Sequence, residues 1–124
     1  MEVEQNSQTI MYGISPQKCD TVKKARKWLE AKGLQVTFVD FREQELSQDT
    51  LKAWVERIGW EAVLNKRSTS FRALDDADKQ DIDSAKAISL MLANPTLIKR
   101  PVLTRGQDVM TGFKEADYQA WFGL

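Results

Sequence analysis

One thiol and a scatter of basic side chains are the groups in this chain equipped for chemistry. Cys19 is the single cysteine among 124 residues, and histidine is absent altogether. Serine–histidine and cysteine–histidine nucleophiles and histidine-ligated metals are therefore excluded. A thiol reacts as its thiolate, which a helix N-terminus and neighbouring lysine or arginine favour. The segment Thr9–Ala25 has that form: an apolar run Ile10-Met11-Tyr12-Gly13-Ile14, a Ser15-Pro16 turn, then Cys19 leading into a helical pattern from Asp20. The first N–H groups of such a helix have no intrahelical partner, and its dipole puts partial positive charge there. Lys18 and Lys23 push in the same direction. The competing reading is a free cysteine packed as a small hydrophobe. The lack of an apolar run around Cys19 weighs against it.

The rest of the composition narrows the setting. An apolar content of 42% and a charged content of 29% are those of an ordinary globular chain, long enough for one core without staples. Formal charge is zero, so no nucleic-acid footprint and no polybasic membrane surface is expected. A lone cysteine forms no internal disulfide and suits a reducing compartment. No apolar stretch reaches the length of a membrane span, and the N-terminus lacks the basic and apolar regions of a signal peptide. The expectation is a cytoplasmic monomer, with residues 1–8 a flexible N-terminus and 9–124 a single domain.

The elements that must position the thiol follow from periodicity. Thr9–Ile14 reads as a strand. Val22, Ala25, Trp28 and Leu29 recur at helical spacing, with Lys23, Lys24, Arg26 and Lys27 between them as a solvated face, and Gly33 ends the helix. Gln35–Phe41, rich in β-branched and aromatic residues, reads as a second strand, which completes a right-handed βαβ unit. Ser47 caps a helix carrying Leu51, Trp54, Val55 and Ile58, and Gly59 stops it. Trp60, Val63 and Leu64 form a short helical piece, and Asn65–Phe71 a polar loop. The acidic stretch Asp75–Asp83 suits helix starts. Ala85, Ile88, Met91 and Leu92 make a further helical stripe, ended by Asn94-Pro95. Residues 102–112 read as a β-hairpin around Arg105–Asp108, and Lys114–Phe122 as a closing helix. The four tryptophans are expected as packing residues. The order βα β ααα ββα predicts an α/β protein, a thioredoxin-like fold with a helical insertion at about 47–94 between its βαβ and ββα halves.

Several segments together resemble a known family. Tyr12-Gly13-Ile14, Cys19-Asp20-Thr21, Lys23-Lys24-Ala25-Arg26, Leu64-Asn65-Lys66-Arg67-Ser68-Thr69 with Phe71-Arg72, Lys86-Ala87-Ile88 and Leu97-Ile98-Lys99-Arg100-Pro101-Val102-Leu103 are similar to the arsenate-reductase-related (ArsC/Spx/YffB) family, above all its YffB-like branch. The resemblance covers residues 9–122. It implies a cis proline at Pro101 beside the cysteine, Cys19 as redox nucleophile and Arg100 as its helper. It further implies glutathione as co-substrate, with no metal, and Lys18, Thr21, Arg67, Arg100 and Pro101 as the residues that would hold it. The chain departs from the family at three points. Arsenate reductases of this type surround the cysteine with three arginines, whereas here only Arg100 carries over and Asn65 and Phe113 stand at the other two places. The loop Ser15–Lys18 is two residues longer than the family's. Val22 occupies the position of a resolving cysteine, so an external thiol must resolve any mixed disulfide. The function expected is therefore a glutathione-dependent thiol–disulfide oxidoreductase acting on small thiol or disulfide substrates. Arsenate reduction and an Spx-like, non-enzymatic protein-binding regulator are the alternatives.

Overall fold

A computed structural model describes residues 8–14 and 20–124 of the chain. Residues 1–7 of the predicted flexible N-terminus 1–8, and the loop Ser15–Lys18 with Cys19, fall outside the described residues. Contacts divide the chain into two units: one brings Arg100–Leu124 together with the residues up to Glu43, and the other is Gln44–Lys99.

The first unit is a four-stranded sheet carrying two helices: β1 (Ile10–Gly13), α1 (Asp20–Ala31), β2 (Thr37–Asp40), β3 (Val102–Arg105), β4 (Asp108–Thr111) and α7 (Glu115–Trp121). Strand order is β2-β1-β3-β4. β1 lies parallel to β2, with Met11 opposite Phe38, and antiparallel to β3, with Met11 opposite Leu103. The β3–β4 hairpin closes the sheet. This βαβ–ββα layout is the predicted thioredoxin-like fold. Strand alternation turns Met11 and Leu103 to one face, where Ala25, Leu29 and Tyr118 cover them. The helix ends as its sequence requires: Gly33 takes φ +69°, in the left-handed region that an L side chain avoids.

Around Tyr118 the core is aromatic. Its ring meets Phe113 edge-on at 4.7 Å and Trp28 edge-on at 5.7 Å, a geometry favoured by the aromatic quadrupole. At the far end of α7, Arg105 stacks on Trp121 at 4.6 Å and its Nη1 donates to the Trp121 carbonyl at 2.7 Å. The Trp121 indole N–H donates to the buried Thr9 hydroxyl at 3.2 Å. These contacts tie the last helix to both central strands.

The second unit is helical: α2 (Gln48–Ile58), α3 (Trp60–Val63), α4 (Thr69–Arg72), α5 (Asp76–Lys79), α6 (Ser84–Ala93) and a 3-10 turn at Pro95–Leu97. Ser47 caps α2 as expected, accepting the Thr50 N–H at 3.1 Å. Five helices replace the predicted three: α4 starts at a Ser68 cap, and α5 starts after Asp75 with no side-chain cap hydrogen bond. The predicted loop Asn65–Phe71 is corrected by α4, which exists because Ser68 Oγ accepts the Phe71 N–H at 3.0 Å. The acidic stretch forms α5, and its last member, Asp83, caps α6 through the Lys86 N–H at 2.8 Å. The predicted stripe is also displaced: Ala87 and Met91 are the buried residues of α6, and Ala85 is exposed. Leu51, Trp54, Val55, Val63, Leu97 and Ile98 are buried in this unit. No described helix is long and apolar enough to cross a membrane.

Tyr118 lets the packing be tested by pH. Its hydroxyl donates to the Gly112 carbonyl at 3.2 Å, and burial pushes its pKa well above the ordinary tyrosine value. The folded chain thus holds this proton more tightly than the unfolded chain. The associated stability is complete below a pH of about 10 and is lost as pH rises toward the folded value. Chemical denaturation of wild type should show the midpoint falling above that pH. Tyr118→Phe should be less stable at neutral pH by about 0.5–1.5 kcal/mol, the worth of one hydrogen bond, and should lose part of the alkaline slope.

Candidate functional site

Three pieces of the first unit converge at the carboxyl end of β1, and each is placed there by a particular contact. The first is the start of α1. An added Cβ on Gly13 would sit 3.1 Å from Val22 Cγ2, so the helix's first turn packs directly on the strand's last residue. Glycine allows this close approach, in which a Cβ would need Val22 to give by a few tenths of an ångström, and its φ is not unusual. With Val22 fully buried against it, Asp20 and Thr21 are left exposed at the helix start.

The second piece is the Arg100-Pro101 segment. Tyr12 is opposite Val102 in the antiparallel ladder, so Pro101 enters the sheet beside the end of β1. The Arg100-Pro101 peptide is cis, as the resemblance implied, although trans is the commoner X–Pro form. Pro101 is buried, and Arg100 is half-buried. The Pro101 carbonyl accepts the Gly112 N–H at 2.9 Å. Gly112 can turn the chain there because it adopts φ +81°. Its own carbonyl accepts the Tyr118 hydroxyl, so the proline segment is braced by the aromatic core.

Tyr12 and Phe41 form the third piece. Their rings stack at 6.3 Å, and the Phe41 N–H donates to the Gly13 carbonyl at 2.8 Å, continuing the β1–β2 ladder past the last strand residue. Partial burial raises the Tyr12 pKa, while a hydrogen bond with the Thr104 side chain opposes that shift.

Of the predicted site residues, Thr21, Arg100 and Pro101 are thus brought to one end of the sheet. Cys19 and Lys18 lie outside the described residues; the chain is described up to Ile14 and again from Asp20, the residue after the cysteine. Arg67 belongs to the helical unit, where it is exposed and its backbone N–H donates to Asn65 Oδ1 at 3.0 Å. The two departures from the three-arginine pattern have structural employment. Asn65 accepts from Arg67 through its side chain and from the Ser68 hydroxyl through its carbonyl, at 2.9 Å, so it shapes its own turn. Phe113 is part of the aromatic cluster on Tyr118. Neither side chain can carry positive charge. In the same segment the Ser68 hydroxyl caps α4 and the Ser70 hydroxyl bonds with that of Thr96.

The reading from sequence missed the bracing residues Gly13, Gly112 and Tyr118. Signals for them existed in two glycines next to strand ends and one tyrosine on a short helix, but their partners are distant in sequence. The arrangement at this end of the sheet can place an arginine and a helix start around one small ligand. Gly13→Ala should therefore disturb it from beneath. Overpacking against Val22 should cost about 1–3 kcal/mol, read as a lower urea midpoint. An unchanged midpoint would mean that the helix start can move away at no cost.

Comparison with known proteins agrees with this architecture. The family model described as the ArsC family matches residues 13–121. An uncharacterised protein of Haemophilus influenzae is 41% identical over 112 residues, covering 90% of this chain and 96% of the relative. Among solved structures, the protein YffB (PA3664) is 45% identical with a TM-score of 0.86, covering 91% of this chain and 97% of the other. An arsenate reductase (ArsC) related protein from Brucella melitensis is 44% identical with a TM-score of 0.75, covering 94% and 96%.

Proposed function

The chain belongs to the ArsC family, and from that membership we propose that it is a thiol–disulfide oxidoreductase using Cys19 as its one nucleophile and glutathione as co-substrate. The observation that carries the reading is the start of α1 at Asp20, immediately after the sole cysteine in the sequence. Twelve residues of helix supply unpaired N–H groups and the positive end of a dipole at that point. Thiolate is the form such an environment favours. A reducing, cytoplasmic setting is part of the same proposal, since it would keep a lone thiol reduced.

The reaction is a pair of exchanges. Cys19 thiolate attacks one sulfur of a glutathione mixed disulfide; a Cys19–glutathione disulfide forms and the substrate leaves as thiolate. A second glutathione thiolate then attacks the glutathione sulfur of that disulfide, releasing oxidised glutathione and restoring the Cys19 thiolate. Net, one free glutathione and the mixed disulfide give the substrate thiol and oxidised glutathione. Arg100 is the residue assigned to the sulfur anions, the Cys19 thiolate and the thiolate that leaves, because guanidinium keeps its charge at neutral pH. Thr21, Lys18 and Arg67 are assigned to glutathione binding, and the backbone around Pro101 to its alignment as an added strand.

Arsenate reduction is the weaker reading for a stated reason. An arsenic oxyanion in a transition state needs several preorganised donors, and Asn65 and Phe113 supply no charge where arginines would. Arsenate-dependent consumption of glutathione by the purified protein would reverse that ranking.

Two measurements test the main reading. The iodoacetamide alkylation rate of Cys19 should show a midpoint below the free-thiol value of about 8.5, and glutathione should protect the thiol. Cys19→Ser should keep the wild-type circular dichroism and melting temperature and lose turnover of glutathione mixed disulfides. Undiminished turnover in that variant would sink the proposal.

A further inference from the structure

A shallow groove in the first unit lies between α1 and the β4–α7 connection, with a volume of about 380 Å3, lined by Lys24, Lys27, Trp28, Phe113 and Glu115. From this groove we infer a second anchoring subsite for the tripeptide thiol, one that holds its carboxylates at Lys24 and Lys27 and its ammonium at Glu115. The inference rests on glutathione being the co-substrate.

Three observations support it. The first is charge. At neutral pH glutathione carries two carboxylates and one ammonium, and the groove offers two ammoniums and one carboxylate. The second is the groove's surface. Lys24, Lys27 and Trp28 share one face of α1, at spacings of three and four residues, and Phe113 meets Trp28 edge-on at 6.3 Å to complete an aromatic floor.

The third is reach. Lys24 is four residues after Asp20, a rise of about 6 Å along the helix at roughly 1.5 Å per residue. A tripeptide extends about 10 Å. With the sulfur on its central residue each arm spans about half of that, about 5 Å, and the four-carbon stem of Lys24 covers the remaining distance. The wall residue Phe113 follows Gly112, whose N–H holds the Pro101 carbonyl at 2.9 Å. One short stretch of chain thus links the proline segment to the groove.

The test uses the full chain with S-methylglutathione, which cannot exchange, and follows the Trp28 indole N–H by NMR. Trp28→Phe identifies the signal. Titration should shift it saturably, and the diethyl ester of the same compound, lacking the carboxylates, should shift it far less. Lys24→Glu with Lys27→Glu should weaken binding at least about fivefold, from two exposed ion pairs lost and reversed. Because charge reversal can perturb folding, Lys24→Gln with Lys27→Gln is measured alongside and should weaken binding in the same direction. An unmoved Trp28 signal, or wild-type affinity in both double variants, would overturn the subsite. A parallel mass measurement asks whether oxidised glutathione forms a mixed disulfide with Cys19, releasing one glutathione. Mixed disulfide without Trp28 response removes the groove and leaves the proposed function. Trp28 response without mixed disulfide leaves the groove as a binding site and removes the function. Failure of both removes both.

Discussion

The structure of the sheet unit depends on β1 being hydrogen-bonded along both edges. Four residues, Ile10–Gly13, pair in parallel with β2 and antiparallel with β3, so both halves of the unit are referred to one strand. A central strand has no free edge, and its register is held from two sides. Met11 faces the aromatic core, and Gly13 leaves the gap that the first turn of α1 fills. Every residue assigned to the site in this unit is positioned relative to that strand. Thr21 follows from the Gly13–Val22 contact, and Arg100 and Pro101 follow from the Tyr12–Val102 pair.

A second layer of support lies beneath the proline segment. Tyr118 on α7 donates to the Gly112 carbonyl, and the Gly112 N–H donates to the Pro101 carbonyl. Through this relay the core sets where the strand beside β1 begins. Tyr118 is fully buried and its hydroxyl finds a partner, which is the condition for keeping a phenol in an apolar interior. Phe113, next to Gly112, extends the same aromatic cluster outward to Trp28 and the groove. Its ring carries no charge and adds apolar surface beside Trp28.

The helical unit is held differently. Its backbone returns on itself where the Asn65 N–H donates to the Leu97 carbonyl at 2.8 Å and the Lys99 N–H to the Val63 carbonyl at 2.7 Å. Short caps set its many helices: Ser47, Ser68 and Asp83 each accept a backbone N–H from three residues on. Lysines finish the exposed turns. Lys79 donates to the Arg72 carbonyl at 2.9 Å and Lys86 to the Ala77 carbonyl at 2.8 Å. These two lysines therefore satisfy main-chain acceptors that the short helices leave open.

What the sequence determined by itself is everything encoded over a few neighbouring residues. The β-branched run before Asp40, the Ser47 cap, the Gly33 and Gly59 stops and the proline before Val102 each act within a turn or a strand, so their elements were legible. The family resemblance added the cis bond at Pro101, which local preference alone disfavours. Tertiary structure decided what depends on distant partners. Whether Ala85 or Ala87 faces the core depends on which helices α6 packs against. The role of Asn65 depends on its turn, and the closeness of Gly13 to Val22 on how α1 lies over the sheet. The groove is the clearest case. Lys24, Lys27 and Trp28 are close in sequence, but Phe113 and Glu115 are about ninety residues away. Only burial of an aromatic core around Tyr118 brings them together, because non-local contacts form where apolar surface leaves water and not where sequence is near.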